Sequence, residues 1–183
     1  MLGHRIARTT VCHLCGHQSR VLGPFEYRLG VALQDGQSLE QLLRSKTFAT
    51  TPVQGYKCDK CKQRQTAKQH SHLVTLPDIL EVDFLRFQKT LRGLYRKDSK
   101  AVPFNQVLDL SEFYDGKFAA RYDLISVVQH LGSFENGHYR CIAKGPGGSW
   151  EELDDTCVTK VNVSTAIRPS SGWTPYALYF ARS

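Results

Sequence analysis

Many apolar residues of the chain lie in runs that have the length of β-strands, and glycine, proline and charged residues separate these runs. Residues 122–130 form a run with almost no polar interruption, which is typical of a strand in the middle of a sheet. Residues 18–33 have apolar side chains at alternating positions, and residues 66–76 follow the cysteine pair at positions 58 and 61. We therefore predict strands in all three segments, with the strand at 18–33 buried on one face only.

One short helix is predicted to begin after Ser38, which can act as the N-cap while Gln41 completes a capping box. Leucines at positions 39, 42 and 43 would then share one face of this helix. Two segments are predicted to be loops, residues 50–55 and the basic, polar residues 88–100. The second of these loops is expected to be mobile, and the two tryptophans, Trp150 and Trp173, are expected in the core.

The apolar run 139–143 and the segment 150–153 flank a Gly-Pro-Gly-Gly segment, which predicts a hairpin. His138 opens the first strand, and Asp154 and Asp155 follow the second strand, so the hairpin can bring the imidazole beside a carboxylate. Such a pair is two-thirds of a nucleophilic triad, because the carboxylate fixes the tautomer of the ring and stabilises its charged form. A structural hydrogen bond on a surface hairpin is the alternative.

Four of the six cysteines form two Cys-x-x-Cys pairs, and these are Cys12, Cys15, Cys58 and Cys61. Two thiolates three residues apart can hold one ion from a tight turn, and four thiolates complete the tetrahedron that zinc prefers. Because no secretory signal is visible, we expect a metal site and not disulfides. The expected ion is a structural Zn²⁺ without an open coordination position. Four reduced thiols without metal are the alternative, and His13 and His17 are possible rival ligands.

Length and charge narrow the class of protein. A chain of 183 residues forms one domain, or one domain with a small lobe. The net charge is +7. The basic residues are spread along the chain, with denser patches at residues 57–68 and 86–100 that lack the interleaved aromatic residues of a nucleic-acid platform. We therefore expect solvated basic faces and no nucleic-acid partner. No apolar run reaches the ~18 residues of a membrane helix, so no membrane partner is expected, and the expected location is the cytoplasm or the nucleus.

Several segments resemble the catalytic domain of the ubiquitin-specific protease family. Gly137-His138-Tyr139, followed by an aromatic residue and an Asp pair, is similar to the histidine box of that family. The strands at residues 122–132 and 174–180 and the Tyr-x-Cys-x-x-Cys knuckle at residues 56–61 are similar too.

The segment 76–87 also resembles that family, in which a Leu-Pro-Pro motif leads into an apolar strand that ends near an Arg-Phe pair. This chain departs from the pattern at Asp78, which replaces the second proline, and at Asp83, where the family has a non-acidic residue. An acid in the middle of a strand is costly unless it is paired or faces water. We therefore expect Asp83 to pair with Arg86 or with a nearby lysine.

The resemblance implies an α+β, mainly antiparallel fold of the papain-like, ubiquitin-specific protease type. Residues 1–75 would form the zinc-bearing fingers, with a zinc-ribbon-like four-cysteine site, and residues 76–183 would form the palm. The helical thumb of the family has no counterpart among the 183 residues. Ubiquitin or a ubiquitinated protein is the implied partner, and hydrolysis of the isopeptide bond at the ubiquitin C-terminus is the implied reaction.

The same resemblance implies roles for individual residues. His138 would be the general base, Asp154 would orient it, and Asp155 would support the site through hydrogen bonds. Three residues would bind the ubiquitin tail, and these are His130, Gly137 and Tyr139. Residues 88–100 and 131–136 would form loops at the cleft.

The nucleophile of the family lies in a Gly-Asn-Thr-Cys box on the helical lobe, and the 183 residues contain no such box. Cys141 points to the opposite face of its strand from His138 because side chains alternate, and Cys157 lies beyond the Asp pair. Both are expected to be core thiols. We therefore expect this chain alone to be inactive. Three explanations are open: the chain is a fragment of a complete enzyme, it is a truncated relative, or it binds a separately made thumb. A non-catalytic ubiquitin-binding or scaffold module is the second hypothesis, and a zinc-stabilised nucleic-acid binder is the third.

Overall fold

The computed structural model describes residues 3–91 and 93–183 of the chain. The strands in this part of the chain are β1 (His4–Cys12), β2 (Gln18–Glu26), β3 (Arg28–Val31), β4 (Thr51–Lys57), β5 (Arg64–Thr75), β6 (Ile79–Phe84), β7 (Phe87–Lys89), β8 (Tyr95–Lys97), β9 (Val107–Asp109), β10 (Arg121–Gly132), β11 (Gly137–Lys144), β12 (Trp150–Asp154), β13 (Cys157–Val161) and β14 (Thr174–Arg182). The helical elements are α1 (Leu39–Leu42), a π-helical turn (Leu43–Thr47), a 3₁₀ turn (Ser111–Phe113) and α2 (Val163–Ile167). No helix in the described residues is long and apolar enough to cross a bilayer.

The strands form two large sheets and one small hairpin. The first sheet has the order β2-β1-β5-β4, and all its pairings are antiparallel. The second sheet has the order β13-β12-β11-β10-β14-β6-β3, and β9 pairs with the start of β10. Among the described strands, β3 and β6 form the one parallel pair, while β7 and β8 pair separately. The predicted α+β, mainly antiparallel fold class is confirmed.

The helix predicted at Ser38 is present, and its capping box is complete. The backbone N–H of Gln41 donates to the Ser38 hydroxyl, and the backbone N–H of Ser38 donates to the Gln41 side chain. Leucines 39, 42 and 43 are fully buried in the main hydrophobic core against the second sheet. Complete burial of each leucine contributes about 2 kcal/mol relative to an exposed side chain, so packing determines this short helix more than helix propensity does.

The central strand β10 is the scaffold of the site. It pairs with β11 on one side and with β14 on the other, as the apolar run predicted. Its buried residues begin as Tyr122 and Leu124, and a β-bulge then shifts the alternation so that Val127 and Gln129 are buried. Because a bulge re-aims the side chains that follow it, the polar Gln129 and its neighbour His130 are both buried at the end of the strand.

The single half-buried strand predicted for residues 18–33 is wrong. The segment forms β2 at the edge of the first sheet and β3 at the edge of the second sheet. Phe25 and Tyr27 are exposed, whereas Leu29 and Val31 are buried. A regular alternation of apolar residues does not show where a chain passes from one sheet to another, and this passage occurs near Tyr27.

Two predicted loops contain strands. Residues 50–55 lie largely in β4, where Pro52 is tolerated because β4 is an edge strand of its sheet. β4 contains a bulge, at which Gly55 has a positive φ of 67°. The Cys58–Cys61 pair follows directly after this strand. Residues 88–100 include most of the β7–β8 hairpin, so the prediction of a loop is wrong there too. Arg92 of this segment lies outside the described residues.

Candidate functional site

The β11–β12 hairpin brings His138 and Asp154 together. Cys141 pairs with Leu153 across the two strands, so the start of β11 and the end of β12 lie side by side. The distance between His138 Nε2 and Asp154 Oδ1 is 2.5 Å. The side chains are 42% and 35% exposed, respectively. The hydrogen-bonded pair is therefore fixed by its hairpin and still open to a reacting partner.

Asp155 adds a second carboxylate beside the same ring nitrogen. It lies in the two-residue turn between β12 and β13 and has a left-handed φ of 50°. Its Oδ2 is 4.0 Å from His138 Nε2, and its side chain is 79% exposed. At this distance Asp155 acts on the imidazole through its charge and not through a direct hydrogen bond.

The hydrogen bond that the His138 ring makes to Asp154 raises the pKa of His138, burial opposes this effect, and the nearby charges of Asp154 and Asp155 raise the pKa further. The carboxylate of Asp154 accepts a hydrogen bond from Nε2–H, which leaves the lone pair of the neutral ring on Nδ1. The ring can therefore take up a proton at Nδ1 while Asp154 stabilises the resulting imidazolium.

A network of polar and aromatic side chains packs beside the His138–Asp154 pair. Residue patterns in the sequence did not predict this network. Trp173 lies 5.9 Å from the His138 ring, and the Arg140 guanidinium stacks on Trp173 at 4.1 Å. Arg140 also donates to Gln129 Oε1 at 3.0 Å and forms an ion pair with Glu152 at 3.1 Å. Trp173 is therefore part of the site and not a core residue, whereas Trp150 is half-buried against the core.

The buried amide of Gln129 links this network to α2. Its Nε2 donates to the carbonyl oxygens of Thr165 at 2.9 Å and Ala166 at 3.2 Å. The signal available in the sequence was a polar residue inside an otherwise apolar central strand, since a buried amide needs hydrogen-bond partners.

His130, Gly137 and Tyr139 form a close-packed group beside the hairpin. His130 pairs with Tyr139 across β10 and β11, and their rings are 4.5 Å apart. Burial lowers the pKa of His130, and the charges of Lys97 and Arg86 lower it further, so this ring is neutral near pH 7. A Cβ atom on Gly137 would lie 2.1 Å from His130 Nε2. Glycine at this position therefore allows the His130 ring to pack against the backbone.

The two segments predicted to frame the cleft contact each other. Tyr95 of β8 stacks on Phe134 at 4.7 Å, and Phe87 contacts Phe134 at 5.4 Å. Lys97 Nζ donates to the carbonyl oxygens of His130 at 3.0 Å and Gly132 at 3.1 Å. The end of β10 is therefore tied to the β7–β8 hairpin by aromatic and hydrogen-bonded contacts.

The prediction that Cys141 and Cys157 are core thiols is wrong for Cys157. Cys157 is exposed and lines a shallow cavity of about 420 Å³ that also contains His138, Asp154 and Asp155. It pairs with Asp154 across the turn between β12 and β13. Cys141 is half-buried, and its thiol lies 3.1 Å from the hydroxyl of Ser126.

The predicted pairing of Asp83 with Arg86 is also wrong. Arg86 is fully buried and donates hydrogen bonds to three carbonyl oxygens, those of Pro175, Asp98 and Lys100, at 2.6–2.9 Å. Burial lowers the pKa of Arg86 to about 10. The guanidinium thus joins β14 to the segment after β8, and Asp83 has no hydrogen bond to it.

The four knuckle cysteines converge at the end of the first sheet. Their sulfur atoms lie within 4.8 Å of one another. Three of the separations are 3.3 Å for Cys12–Cys15, 3.6 Å for Cys15–Cys58 and 3.9 Å for Cys12–Cys61. A tetrahedral zinc with Zn–S bonds of about 2.3 Å separates its sulfurs by about 3.8 Å. The cluster therefore fits Zn²⁺, and the rival ligands His13 and His17 are not members of it.

The two knuckles have the same local geometry. In the first, the N–H of Gly16 donates to the carbonyl of Cys12, and in the second, the N–H of Lys62 donates to the carbonyl of Cys58. Both Gly16 and Lys62 have a left-handed φ, of 66° and 61°. Gln65 Nε2 also lies 2.6 Å from the Cys12 sulfur, which is the kind of outer contact that supports a metal ligand.

Comparison with known proteins agrees with this geometry. The family model for ubiquitin carboxyl-terminal hydrolase matches residues 6–180. The chain belongs to this family. The predicted membership in the ubiquitin-specific protease type of ubiquitin hydrolases is therefore confirmed.

Relatives of this chain come from plants, yeast and animals. Ubiquitin carboxyl-terminal hydrolase 23 of Arabidopsis thaliana is 28% identical over the whole chain, and ubiquitin carboxyl-terminal hydrolase 10 of Saccharomyces cerevisiae is 33% identical over 68% of it. The chain spans only 21% and 16% of the length of these two relatives.

A solved structure has the same fold. A SAGA DUB module of Ubp8, Sgf11, Sus1 and Sgf73 bound to monoubiquitin contains a chain that matches with a TM-score of 0.89 and 22% identity. The match covers the whole of this chain and 41% of the solved chain. The likeness supports the fold class that the sequence predicted.

Proposed function

We propose that this chain supplies the base half of a deubiquitinating thiol hydrolase, which cleaves the isopeptide bond at the C-terminus of ubiquitin. The observation that carries the proposal is the 2.5 Å hydrogen bond between His138 Nε2 and Asp154 Oδ1 in an open cavity. Membership in the ubiquitin carboxyl-terminal hydrolase family supports it. The structural neighbour, which is bound to monoubiquitin, supports ubiquitin as the partner.

The geometry of the pair gives each residue a role in proton transfer. Asp154 accepts the Nε2–H hydrogen bond, so Nδ1 takes the proton of a thiol and generates the attacking thiolate. The thiolate attacks the carbonyl carbon of the C-terminal glycine, and the same nitrogen then returns its proton to the departing lysine amine. Asp155, 4.0 Å from the ring, adds negative charge that stabilises the imidazolium.

The thiol of this reaction is not among the six cysteines of the chain. Four of them form the metal cluster, and Cys141 lies on the strand face opposite His138. Cys157 lines the same cavity as His138, but it is paired with Asp154. Asp154 occupies the Nε2 side of the ring, whereas the nucleophile must meet Nδ1. We therefore propose that the 183 residues alone do not hydrolyse ubiquitin conjugates.

The remaining features have supporting roles in this proposal. Zn²⁺ held by the four knuckle cysteines would join the ends of the first sheet and take no part in the chemistry. Residues 1–75 would act as fingers and residues 76–183 as palm, with β3 and α1 contributing to the palm core. Such a protein would act in the cytoplasm or the nucleus.

A ubiquitin–fluorophore assay tests the catalytic proposal in two steps. The 183-residue chain alone should give no turnover, and Cys157→Ser should not change that result. Adding the cysteine-containing helical lobe of a family member in trans should produce turnover that His138→Ala abolishes. Turnover by the chain alone, or turnover in trans that survives His138→Ala, would contradict the proposal.

Binding separates the proposal from the two other hypotheses. Titration with ubiquitin, followed by NMR, should perturb the amides of Gly137, His138 and Tyr139. Ubiquitin binding without activity in trans would favour a scaffold module. No ubiquitin binding, together with nucleic-acid binding that falls steeply with added salt, would favour the nucleic-acid binder.

A further inference from the structure

The hydrogen bond to Asp154 leaves one rotation of the His138 ring free. Nε2, which makes this hydrogen bond, lies close to the line of the Cβ–Cγ bond. Rotation of the ring about that bond therefore displaces Nε2 little, whereas it swings Nδ1 from one side to the other. This torsion is broad in histidine and has no sharp preference of its own. The carboxylate thus fixes the tautomer of the ring, and the direction of Nδ1 needs a second contact.

Trp173 supplies a contact to the body of the ring. The two ring centroids are 5.9 Å apart, and the ring planes are inclined at 66°, which is an edge-to-face arrangement. Aromatic rings favour this arrangement at centroid separations of about 4.5–7 Å, and its stability depends on the angle between the planes. Rotation of the His138 ring against a fixed indole would lose this contact. Trp173 therefore restrains the torsion that the hydrogen bond leaves free.

Arg140 holds the indole in place. Side chains alternate along β11, so His138 and Arg140 lie on the same face of the strand. The guanidinium carbon of Arg140 lies 4.1 Å from the centroid of the Trp173 ring, which is a cation–π distance. Arg140 Nη2 also donates to the Ser170 hydroxyl at 3.4 Å. The carbonyl of Ser170 accepts from the N–H of Trp173 at 3.2 Å, so Arg140 contacts both the indole and the turn that carries it.

The guanidinium is itself fixed from the interior of the sheet. The Arg140 side chain is only 9% exposed, and it forms an ion pair with Glu152 at 3.1 Å. It donates to Gln129 Oε1 at 3.0 Å, and Gln129 is its partner across β10 and β11. A chain of contacts therefore runs from the buried part of β10 through Arg140 and Trp173 to the His138 ring.

We propose that Trp173 and Arg140 are positioning residues for proton transfer, because they hold the rotation of the His138 ring so that Nδ1 faces the incoming thiol. This inference rests on the proposed function, in which Nδ1 takes up and returns the proton. Lysine at position 140 would keep the charge but lose the planar group that stacks on the indole. Phenylalanine at position 173 would keep an aromatic ring beside His138, whereas leucine would not.

NMR relaxation of the His138 ring tests the inference in the 183-residue chain alone. The ring C–H bonds should have an order parameter of about 0.85 in wild type, as rigid groups do, and below about 0.6 in Trp173→Leu. Trp173→Phe should retain most of the wild-type value, and Arg140→Lys should give an intermediate value. Arg168→Lys makes the same exchange at the exposed arginine directly after α2. It is the matched control and should keep the wild-type value.

A second pair of measurements separates ring rotation from loss of the hydrogen bond. The pKa of His138 should stay raised in Trp173→Leu, because Nε2 still meets Asp154. In the assay with the helical lobe in trans, kcat of Trp173→Leu should fall about ten- to a hundredfold, because the proton acceptor is misdirected. KM should change little, since neither side chain is proposed to bind the substrate.

The outcomes separate this inference from the proposed function. An unchanged order parameter in Trp173→Leu overturns the inference, as does an equal loss in Arg140→Lys and Arg168→Lys. A fall of the His138 pKa in Trp173→Leu as large as in Asp154→Asn also overturns it, because the indole would then support the hydrogen bond and not the rotation.

Turnover in trans decides the remaining cases. If Trp173→Leu loosens the His138 ring but keeps full turnover, the positioning role fails and the proposed function stands. If wild type gives no turnover in trans, the proposed function fails, and the order parameters still decide whether the indole restrains the ring. Amide spectra that match wild type away from the substituted residues confirm that the fold of each variant is intact.

Discussion

Replacement of Gly137 by alanine should destabilise the site by overpacking. The new Cβ would lie 2.1 Å from His130 Nε2 and 2.8 Å from the carbonyl oxygen of Leu131, whereas ordinary contacts begin near 3.4 Å. The His130 ring is only 2% exposed and is packed against Tyr139 at 4.5 Å and Phe87 at 5.6 Å, so it has little room to retreat. Overpacking of this kind costs about 1–3 kcal/mol. In a domain of this size, each kcal/mol lowers the melting temperature by about 2–4 °C.

A double-mutant cycle, followed by urea denaturation, measures this cost and its cause. Gly147→Ala is the matched control, because no atom lies within 4 Å of the corresponding Cβ, and it should leave the free energy of unfolding within about 0.5 kcal/mol of wild type. In a His130→Ala background, Gly137→Ala should cost at least about 1 kcal/mol less than in wild type, because the clash with the ring is gone. An equal cost in the two backgrounds would refute the packing argument.

Three further perturbations test the ion pair, the metal cluster and the buried arginine. Asp154→Asn should lower the pKa of His138 in an NMR titration. Since the folded pKa of His138 is raised in wild type, the stability that protonated His138 contributes should be present at acid pH and lost as pH rises through that pKa. An unchanged pKa of His138 in the variant would show that Asp154 does not raise it. Cys58→Ser, or treatment with a chelator, should speed hydrogen exchange in the first sheet, which contains β1, β2, β4 and β5, while β10 stays protected. An equal increase of exchange in both sheets would contradict a local role of the metal. Arg86→Met should lower the free energy of unfolding, measured by urea denaturation, by about 3 kcal/mol, because the substitution leaves the carbonyl oxygens that Arg86 contacts without donors. A loss below about 1 kcal/mol would show that water replaces the guanidinium.

The features that the sequence predicted well are local in the chain. His138 and Asp154 are 16 residues apart on one hairpin, so turn residues and strand length are enough to bring them together. The capping box at Ser38 spans only four residues. The four cysteines are distant in sequence, but thiolate chemistry and the repeated Cys-x-x-Cys spacing identify their cluster without knowledge of the chain path between them.

The features that the sequence did not predict depend on tertiary contacts and bulges. A bulge in β10 directs Gln129 into the interior, and no periodicity in the sequence marks it. Trp173 and Arg140 meet across 33 residues, because Trp173 directly precedes β14, which joins the sheet beside β10 only after the chain has passed through β12, β13 and α2. Pro52 indicated a loop because its tolerance depends on β4 being an edge strand, and the strand order is not visible in the sequence.

In the proposed reaction, the electrostatics of the His138–Asp154 pair would allow the base to be in place before its nucleophile. Asp154 favours the charged form of His138, and an imidazolium beside a thiol lowers the pKa of that thiol. In the proposed reaction, the carboxylate would therefore act on the nucleophile through the ring, by favouring a thiolate–imidazolium ion pair over the neutral pair. Because the ring remains 42% exposed, water can solvate its charge when no thiolate is near, and the hairpin does not bear the cost of a buried unpaired cation. A thiol approaching Nδ1 would displace that water and meet a ring whose orientation and preferred charge are already set.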